Sequence, residues 1–558
     1  MNRYLRVWTF LIFACLLASG VMLQPGATVM AAPVSADVSA RLREIAASGR
    51  LVGMERGNFS DYRKLVQAAY EASDYAPLWV NGDQPTAQAL GMIKAFEASA
   101  QKGLNPRDYD AGRWATRVDA LKGSADEKRA EFDAALTVAA MRYISDLHIG
   151  RVNPKHFKFG IDVQSKKYDL PGFVTQRIVS ASDLLAVLDG VEPPYDGYRR
   201  TERVLQQYLQ LAAKGDGPKI PEATKTVAPG EAFAGTAQLA ERLRLLGDLP
   251  AGAGDSATYD GALVDGVKRF QERHGLAPDG KLGATTIREL NTPLSARVQQ
   301  LDFALERWRW LPPEFPQPPV VVNIPEFRLR AFEGGQKVAL AMNVVVGKAA
   351  PTQTPVFTDD IKFIVFRPYW NVPPGILRRT VIPGIEKSSS YISSQRFEVT
   401  DSGGRPVSAG GDLVAGLRSG KYSIRQLPGP KNSLGLIKFM FPNSHSVYLH
   451  STPSTELFEK SRRDFSSGCI RVEKPAELAA FLLRNQPDGD QPWTVERAQT
   501  AMDSGKDNRQ VNLATQVPVL LLYVTAVAEE DGTVHFFDDL YGHDRRLEAV
   551  LAKGPPYP

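Results

Sequence analysis

At Leu311–Pro319 the sequence turns proline-rich and its apolar residues change period, which constrains the fold more than any other feature. Before that point apolar residues recur at helical spacing, as in Asp133–His148 and Ala181–Leu188. Gly150-Arg151-Val152-Asn153-Pro154 reads as a turn ending a helix. Lys214–Gly230, rich in Pro, Gly, Lys and Thr, reads as a linker. A compact helical unit follows. Leu239, Leu243, Leu245 and Leu246 mark one helix, and Val264, Val267, Phe270 and Gln271 a second. Gly275 is placed as a C-cap, Asp279-Gly280 as a tight turn, and a third helix begins at Thr285. Beyond Pro319 the pattern predicts strands at Val320–Ile324, Phe327–Phe332, Val338–Val346 and Ile361–Phe366. Regularity lapses between Pro374 and Ile424, where Ser388-Ser389-Ser390, Gly403-Gly404 and Gly410-Gly411 predict a loop-rich stretch. Strands resume at Leu436–Phe441 and Ser446–His450. A short helix is expected at Lys474–Leu483, then strands at Val517–Val527 and Thr533–Phe537 around a Glu530-Asp531-Gly532 turn.

The expected fold class is therefore multidomain α+β: helical units first, then a mainly β, sandwich-like domain with a loop-rich insertion. At 558 residues the chain exceeds one typical core, and about three or four folded units are expected. The net charge of +5 suits an anionic polymer, but no dense Lys/Arg block interleaved with aromatics supports nucleic acid as a partner. Arg3 and Arg6, an apolar run from Val7 to Leu23 and Val29-Met30-Ala31 before Ala32 read as an export signal over residues 1–31. A retained membrane anchor is the alternative reading. Of two cysteines, Cys15 lies within the signal, so Cys469 is alone in the mature chain. An exported protein ordinarily pairs its cysteines or does without them. A buried inert thiol and a reactive one both remain open on that count.

The stretch that can carry chemistry runs from Ser446-Val447-Tyr448-Leu449-His450-Ser451 to Phe465-Ser466-Ser467-Gly468-Cys469-Ile470-Arg471-Val472. A strand delivers His450 to its end, and a Ser/Gly turn presents Cys469 with Arg471 two residues on. A free thiol ionises near pH 8.5, so a neighbouring imidazole is needed to take its proton at neutral pH. Gly468 permits a tight turn, and the N–H groups of Gly468 and Cys469 could face a developing oxyanion. Arg471 suits a substrate carboxylate, and Ser467 can donate or accept. Taken alone, a Ser-Gly-Cys turn and a strand-end histidine are also ordinary structural features. Seven scattered histidines with no His-Glu-x-x-His offer no metal site, and no metal or cofactor is expected. His445, at an odd offset from His450, is expected on the other sheet face.

His450, fifteen intervening residues and Ser-Ser-Gly-Cys-Ile-Arg-Val resemble the signature of the L,D-transpeptidase (YkuD-type) family. The run from Arg425-Gln426-Leu427-Pro428-Gly429-Pro430-Lys431-Asn432 to Tyr448-Leu449-His450, with Trp370-Asn371-Val372-Pro373-Pro374, resembles its large YcbB-like branch. Residues 234–295 resemble a peptidoglycan-binding helical module through Val267-Lys268-Arg269-Phe270-Gln271, Gly275-Leu276 and Asp279-Gly280. With the resemblance, residues 36–211 become a helical scaffold domain, 212–233 a linker, 318–545 the catalytic domain and 546–558 a tail, with a capping insertion at about 375–424. The resemblance implies a cysteine acyltransferase acting on peptidoglycan stem peptides and glycan. Cys469 would attack a diaminopimelate carbonyl, expel D-Ala and pass the acyl group to a second stem, giving a 3→3 cross-link. His450 would be base and then acid, oriented by the Ser451 backbone carbonyl, so that the Ser451 side chain matters less. Gly468 would supply an oxyanion N–H. Ser467, Arg471, Tyr448, Trp370 and Asn432 would contact substrate, although Tyr448 and Trp370 are equally readable as core aromatics. Resolution of the thioester by water, giving an L,D-carboxypeptidase, or by a lipoprotein amine stays open, as does a catalytically silent wall-binding scaffold. A periplasmic setting, other cell-wall enzymes as partners and carbapenem-type β-lactams as covalent inhibitors are further implications.

Overall fold

The computed structural model describes residues 35–254, 258–408, 410–486, 491–554 and 556. The export signal expected at residues 1–31, including Cys15, lies outside the described residues.

The N-terminal region is organised around the helix Asp126–Ile149, which is buried along nearly its whole length because its middle is rich in Ala, Leu and Val. Ala36–Ser48, Arg63–Ala72 and Ala87–Glu97 pack about it in one core. Asp133, in the middle of that core, is tolerated because the Tyr70 hydroxyl (2.7 Å) and the Leu78 and Trp79 N–H groups (3.1 and 2.7 Å) all donate to its carboxylate. The helix ends at Gly150, φ +92. The N–H groups of Arg151 and Val152 then donate to the Glu306 carboxylate at 2.7 and 2.9 Å, docking this region onto the helix Leu294–Arg309. Val152, Phe157, Phe159 and Ile161 continue into the core of the β domain, so the two regions share apolar packing.

The small helical unit has helices at Thr236–Leu245, Gly261–Arg273 and Ala284–Leu290 around Leu239, Leu243, Leu263, Val267, Phe270 and Ile287. Gly275 (φ +64) follows the second helix and Gly280 (φ +69) makes the turn, positions where a left-handed backbone favours glycine.

The β domain comprises β1 (Val320–Asn323), β2 (Arg328–Glu333), β3 (Lys337–Gly347), β4 (Phe357–Phe366), β5 (Trp370–Asn371), β6 (Phe397–Thr400), β7 (Ser423–Gln426), β8 (Ile437–Met440), β9 (Leu449–His450), β10 (Asp464–Ser466), β11 (Ile470–Val472), β12 (Arg509–Leu522), β13 (Ala526–Ala528) and β14 (Val534–Phe536). Nine of them form one sheet in the order β10-β3-β11-β9-β8-β4-β12-β1-β2. β2 also pairs with β3, so the sheet closes on itself. Its interior is filled by Val322, Leu329, Ile364, Phe439, Leu449, Ile470 and Leu521, all 0 % exposed. The helix Pro475–Leu483 adds Leu478 and Ala479 to the same cluster.

Between β4 and β8 rises the insertion, which is more regular than a loop. It holds short helices at Pro374–Ile376, Ile382–Lys387, Tyr391–Ser394 and Leu413–Ser419, a π-helical turn at Leu377–Val381, and a small sheet ordered β5-β7-β6. Its own core is Val381, Ile382, Phe397, Leu417 and Ile424. β7 returns to the main sheet through residues 427–436, and Asn432 holds that return. Its amide donates to the carbonyls of Pro368 (3.0 Å) and Leu427 (3.0 Å), while its oxygen accepts from the Leu434 N–H (2.8 Å).

Candidate active site

β9 and β11 run parallel with Leu449 opposite Ile470 and His450 opposite Arg471. The Ile470 N–H donates to the Tyr448 carbonyl, which extends the pairing back to the level of Cys469. Leu449 and Ile470 face the core. Because strands alternate faces, Tyr448, His450, Cys469 and Arg471 share the opposite one, with Cys469 and His450 as diagonal neighbours on adjacent strands. Lys438 of β8 pairs with His450 from the other side and joins this face. The strand expected at Ser446–His450 is shorter than anticipated, because Ser446 takes a left-handed φ of +55. His445 is exposed and lies with its ring 5.0 Å from that of Phe357.

The turn that presents Cys469 is built by Ser466, which the sequence reading passed over in favour of Ser467. The Ser466 hydroxyl accepts from the Gly468 N–H (3.0 Å) and donates to the Cys469 carbonyl (2.6 Å). A serine two residues before an accepted N–H is an ST-turn, so the signal was present in Ser-Ser-Gly-Cys. Gly468 has φ +120 and is braced by the Thr354 hydroxyl, which donates to its carbonyl at 2.8 Å. This corrects the role expected of Gly468. Its N–H is engaged by Ser466 and does not face an incoming oxyanion, whereas among the described residues no hydrogen bond engages the Cys469 N–H. Ser467 is exposed beside the turn.

The Cys469 thiol is half-buried and lies 3.8 Å from the Ser446 carbonyl. Burial raises its pKa, outweighing the lowering by hydrogen bonding to Tyr448 and by the Arg471 charge. His450 is buried, and burial together with the flanking Arg471 and Lys438 charges lowers it to about 4. Both groups are therefore neutral at pH 7, a thiol beside an imidazole and not a preformed ion pair. The His450 Nδ1 lies 2.5 Å from the Ser451 carbonyl. That contact requires the proton on Nδ1 and leaves Nε2 as the basic nitrogen. Tyr448 sets its ring edge-on to His450 at 5.8 Å, and burial raises its own hydroxyl pKa.

Arg471 is half-buried, its Nε has no hydrogen-bond partner, and among the described residues no ion pair engages it. It is thus a desolvated cation on the same face as the thiol, its pKa lowered by burial against the opposing pull of the Glu456 charge, with which it forms no ion pair. Asn432 is not so placed. It is 1 % exposed with its amide satisfied within the return loop, which corrects the substrate contact expected of it. Trp370 sits in the insertion's core against Phe397, ring centroids 6.3 Å apart. The Ser451 side chain is more engaged than expected. Its oxygen accepts from the N–H groups of Leu436 (2.7 Å) and Ile437 (3.2 Å) and donates to the Leu434 carbonyl (3.2 Å).

Residues 318–508 match the family model of the L,D-transpeptidase catalytic domain, residues 234–290 that of a peptidoglycan binding domain, and residues 64–205 that of a scaffold domain. The chain carries an L,D-transpeptidase catalytic domain. A Haemophilus influenzae protein assigned by its name to the L,D-transpeptidases is 31 % identical over 298 residues, 52 % of this chain and 57 % of that protein. The chain therefore spans little more than half the length of this curated relative. The crystal structure of an L,D-transpeptidase from Xylanimonas cellulosilytica is matched over 54 % of this chain and 100 % of that one, at 14 % identity and a TM-score of 0.18, too loose a superposition to define a shared fold. Within the transpeptidase domain, Cys469, His450 and Arg471 all lie inside the matched residues.

Proposed function

We propose that this chain is a peptidoglycan L,D-transpeptidase that forms 3→3 cross-links through a Cys469 thioester. The observation that carries the reading is one sheet face on which a neutral thiol, a basic Nε2 and an arginine that forms no ion pair among the described residues are brought together by paired strands.

The steps follow from the protonation states. As Sγ attacks the carbonyl carbon of diaminopimelate, His450 Nε2 takes the thiol proton, so thiolate forms only as it reacts. Of the two N–H groups expected to face the oxyanion, that of Cys469 does so. Collapse breaks the C–N bond to D-Ala, whose amine leaves with the proton from His450, and a thioester remains. The side-chain amine of a second stem then attacks, His450 removes its proton, and the thiol is restored with an amide in place of the thioester. Arg471 holds a stem carboxylate while this occurs. Water in place of the amine gives the carboxypeptidase outcome. The exported, envelope setting, wall attachment through residues 234–290 and acylation of Cys469 by carbapenem-type β-lactams belong to the same proposal.

Product analysis tests it. Purified disaccharide-tetrapeptide incubated with wild type should give a dimer lacking one D-Ala, absent with Cys469→Ala. Tripeptide alone would make the enzyme chiefly a carboxypeptidase. Dimer from the Cys469→Ala protein would remove Cys469 from the mechanism.

A further inference from the structure

The insertion does not simply sit above the site, because its return strand is bonded into the residue next to the base. The Leu427 N–H donates to the Arg396 carbonyl, and the Gln426 amide donates to the carbonyls of Gln395 (2.9 Å) and Lys431 (3.0 Å). The Ser433 N–H donates to the Gln426 side-chain oxygen at 2.7 Å. Asn432 then fixes Leu434, and Leu434, Leu436 and Ile437 all meet the one hydroxyl of Ser451. Gly435 sits at φ +64 so close to this hydroxyl that a Cβ there would lie 2.1 Å from the Ser451 Oγ, which leaves no room for any other residue. The Leu434 carbonyl that accepts from Ser451 also approaches His450 closely enough to favour its protonated form, as does the Ser451 carbonyl.

Resting on the transpeptidase reading above, we propose that the Ser451 hydroxyl is a positioning group that couples the capping insertion to the catalytic base. It clamps the return loop against His450, so that the ring is held dry and aimed at Cys469 only while the insertion is seated. The groups facing His450 are Cys469 and Arg471 from β11 and its preceding turn, Lys438 from β8, Tyr448 from its own strand, and the Leu434 and Ser451 carbonyls. Two of these are cations. A ring released from the clamp gains water, which stabilises its protonated form, and its pKa moves up from about 4 toward the ordinary imidazole range.

The test compares full-length wild type, Ser451→Ala and Ser451→Thr in cross-linking of disaccharide-tetrapeptide across pH. Ser451→Ala is expected to lower kcat at least tenfold with KM within about twofold. Its acid limb should move up by a pH unit or more, and Ser451→Thr, which keeps the hydroxyl, should restore both. A purely structural role would lower the amount of active enzyme without moving the acid limb. Wild-type rate and acid limb in Ser451→Ala, or an unmoved limb with lowered rate, overturns the proposal. If Ser451→Ala does not fold, the Ser451→Thr and Ser451→Val pair, matched in volume, is read for the same shift. Cys469→Ala separates the two levels. If it still cross-links, Cys469 is not the nucleophile and the thioester mechanism on which the coupling rests fails. If it is inactive while Ser451→Ala behaves as wild type, only the coupling fails.

Discussion

The closed sheet and the insertion that rises from it differ in what holds them. The sheet is filled by a continuous cluster that runs from Ile149 in the scaffold region to Leu547 near the C-terminus. The insertion, with some fifty residues between β5 and β7, buries Val381, Ile382, Phe397, Leu417 and Ile424, with Trp370, Leu377 and Tyr391 half-covered. Its helices are of three to seven residues, too short to persist without tertiary contacts. Cys469 belongs wholly to the sheet, through Ser466, Thr354 and β11. His450 stands at the seam, on a sheet strand but covered by the insertion's return loop. One reacting group is fixed by the core and the other is answerable to a marginal element.

Four substitutions and a change of pH would break or sharpen that contrast. The largest effect is expected from Gly435→Ala, whose methyl would displace Ser451 and Thr452. Activity in the cross-linking assay should fall roughly 100-fold or more while the sheet's amide protection persists, since small misplacements of a catalytic group cost that much. Loss of protection across the whole sheet would show the seam to be part of the core. Next, Phe439→Ala in β8, 0 % exposed, should destabilise the domain by about 3–5 kcal/mol in denaturant melts. Ile382→Ala should instead leave the main unfolding transition nearly in place and lower hydrogen-exchange protection only over residues 374–426. Equal effects of the two would erase the distinction.

Acid is the third probe. His450 and His543 are both buried and lowered to about 4, by desolvation first and neighbouring arginines second. An unfolded histidine titrates near 6.5. Between those values the unfolded chain binds more protons, so the stability contribution is present above about pH 6.5 and is lost as pH falls through about 4. Each histidine is worth up to roughly 3 kcal/mol on that reckoning. The insertion's Asp401 and Asp412 are lowered by hydrogen bonds to Arg405 and Lys421 at its surface and titrate below this window. Exchange measured at pH 7 and 4.5 should therefore show the seam around His450 and the C-terminal helix His543–Ala552 weakening before the insertion's own surface. The smallest effect is assigned to Arg418→Ala, which removes an exposed pair with Glu386 and should change stability by less than about 1 kcal/mol.

Much of the β domain was legible because its strands are apolar and bounded by Gly and Pro, as at Val320–Asn323 and Val338–Val346. β4 begins earlier than its apolar run, since Thr358, Asp359 and Asp360 are polar residues paired against β12. The insertion was read as loop because Pro, Gly and Ser interrupt helices that only its small core and return loop hold in place. The Cys469–His450 pairing followed from a strand end and a turn. Which N–H of that turn stays free did not, because Ser466 chooses among donors by geometry that spacing does not encode. Likewise Asn432 looks like a surface contact in sequence and proves to be a buried staple, and Lys438 becomes a neighbour of His450 only through the register of β8.

The most direct test of the central claim is mass spectrometry of the intact protein quenched during reaction with tetrapeptide stem, followed by peptide mapping. An acyl adduct that has lost D-Ala, carried on Cys469 and accumulating in wild type, is the expected result. An adduct on another residue, or cross-linked product formed by the Cys469→Ala protein, would contradict it.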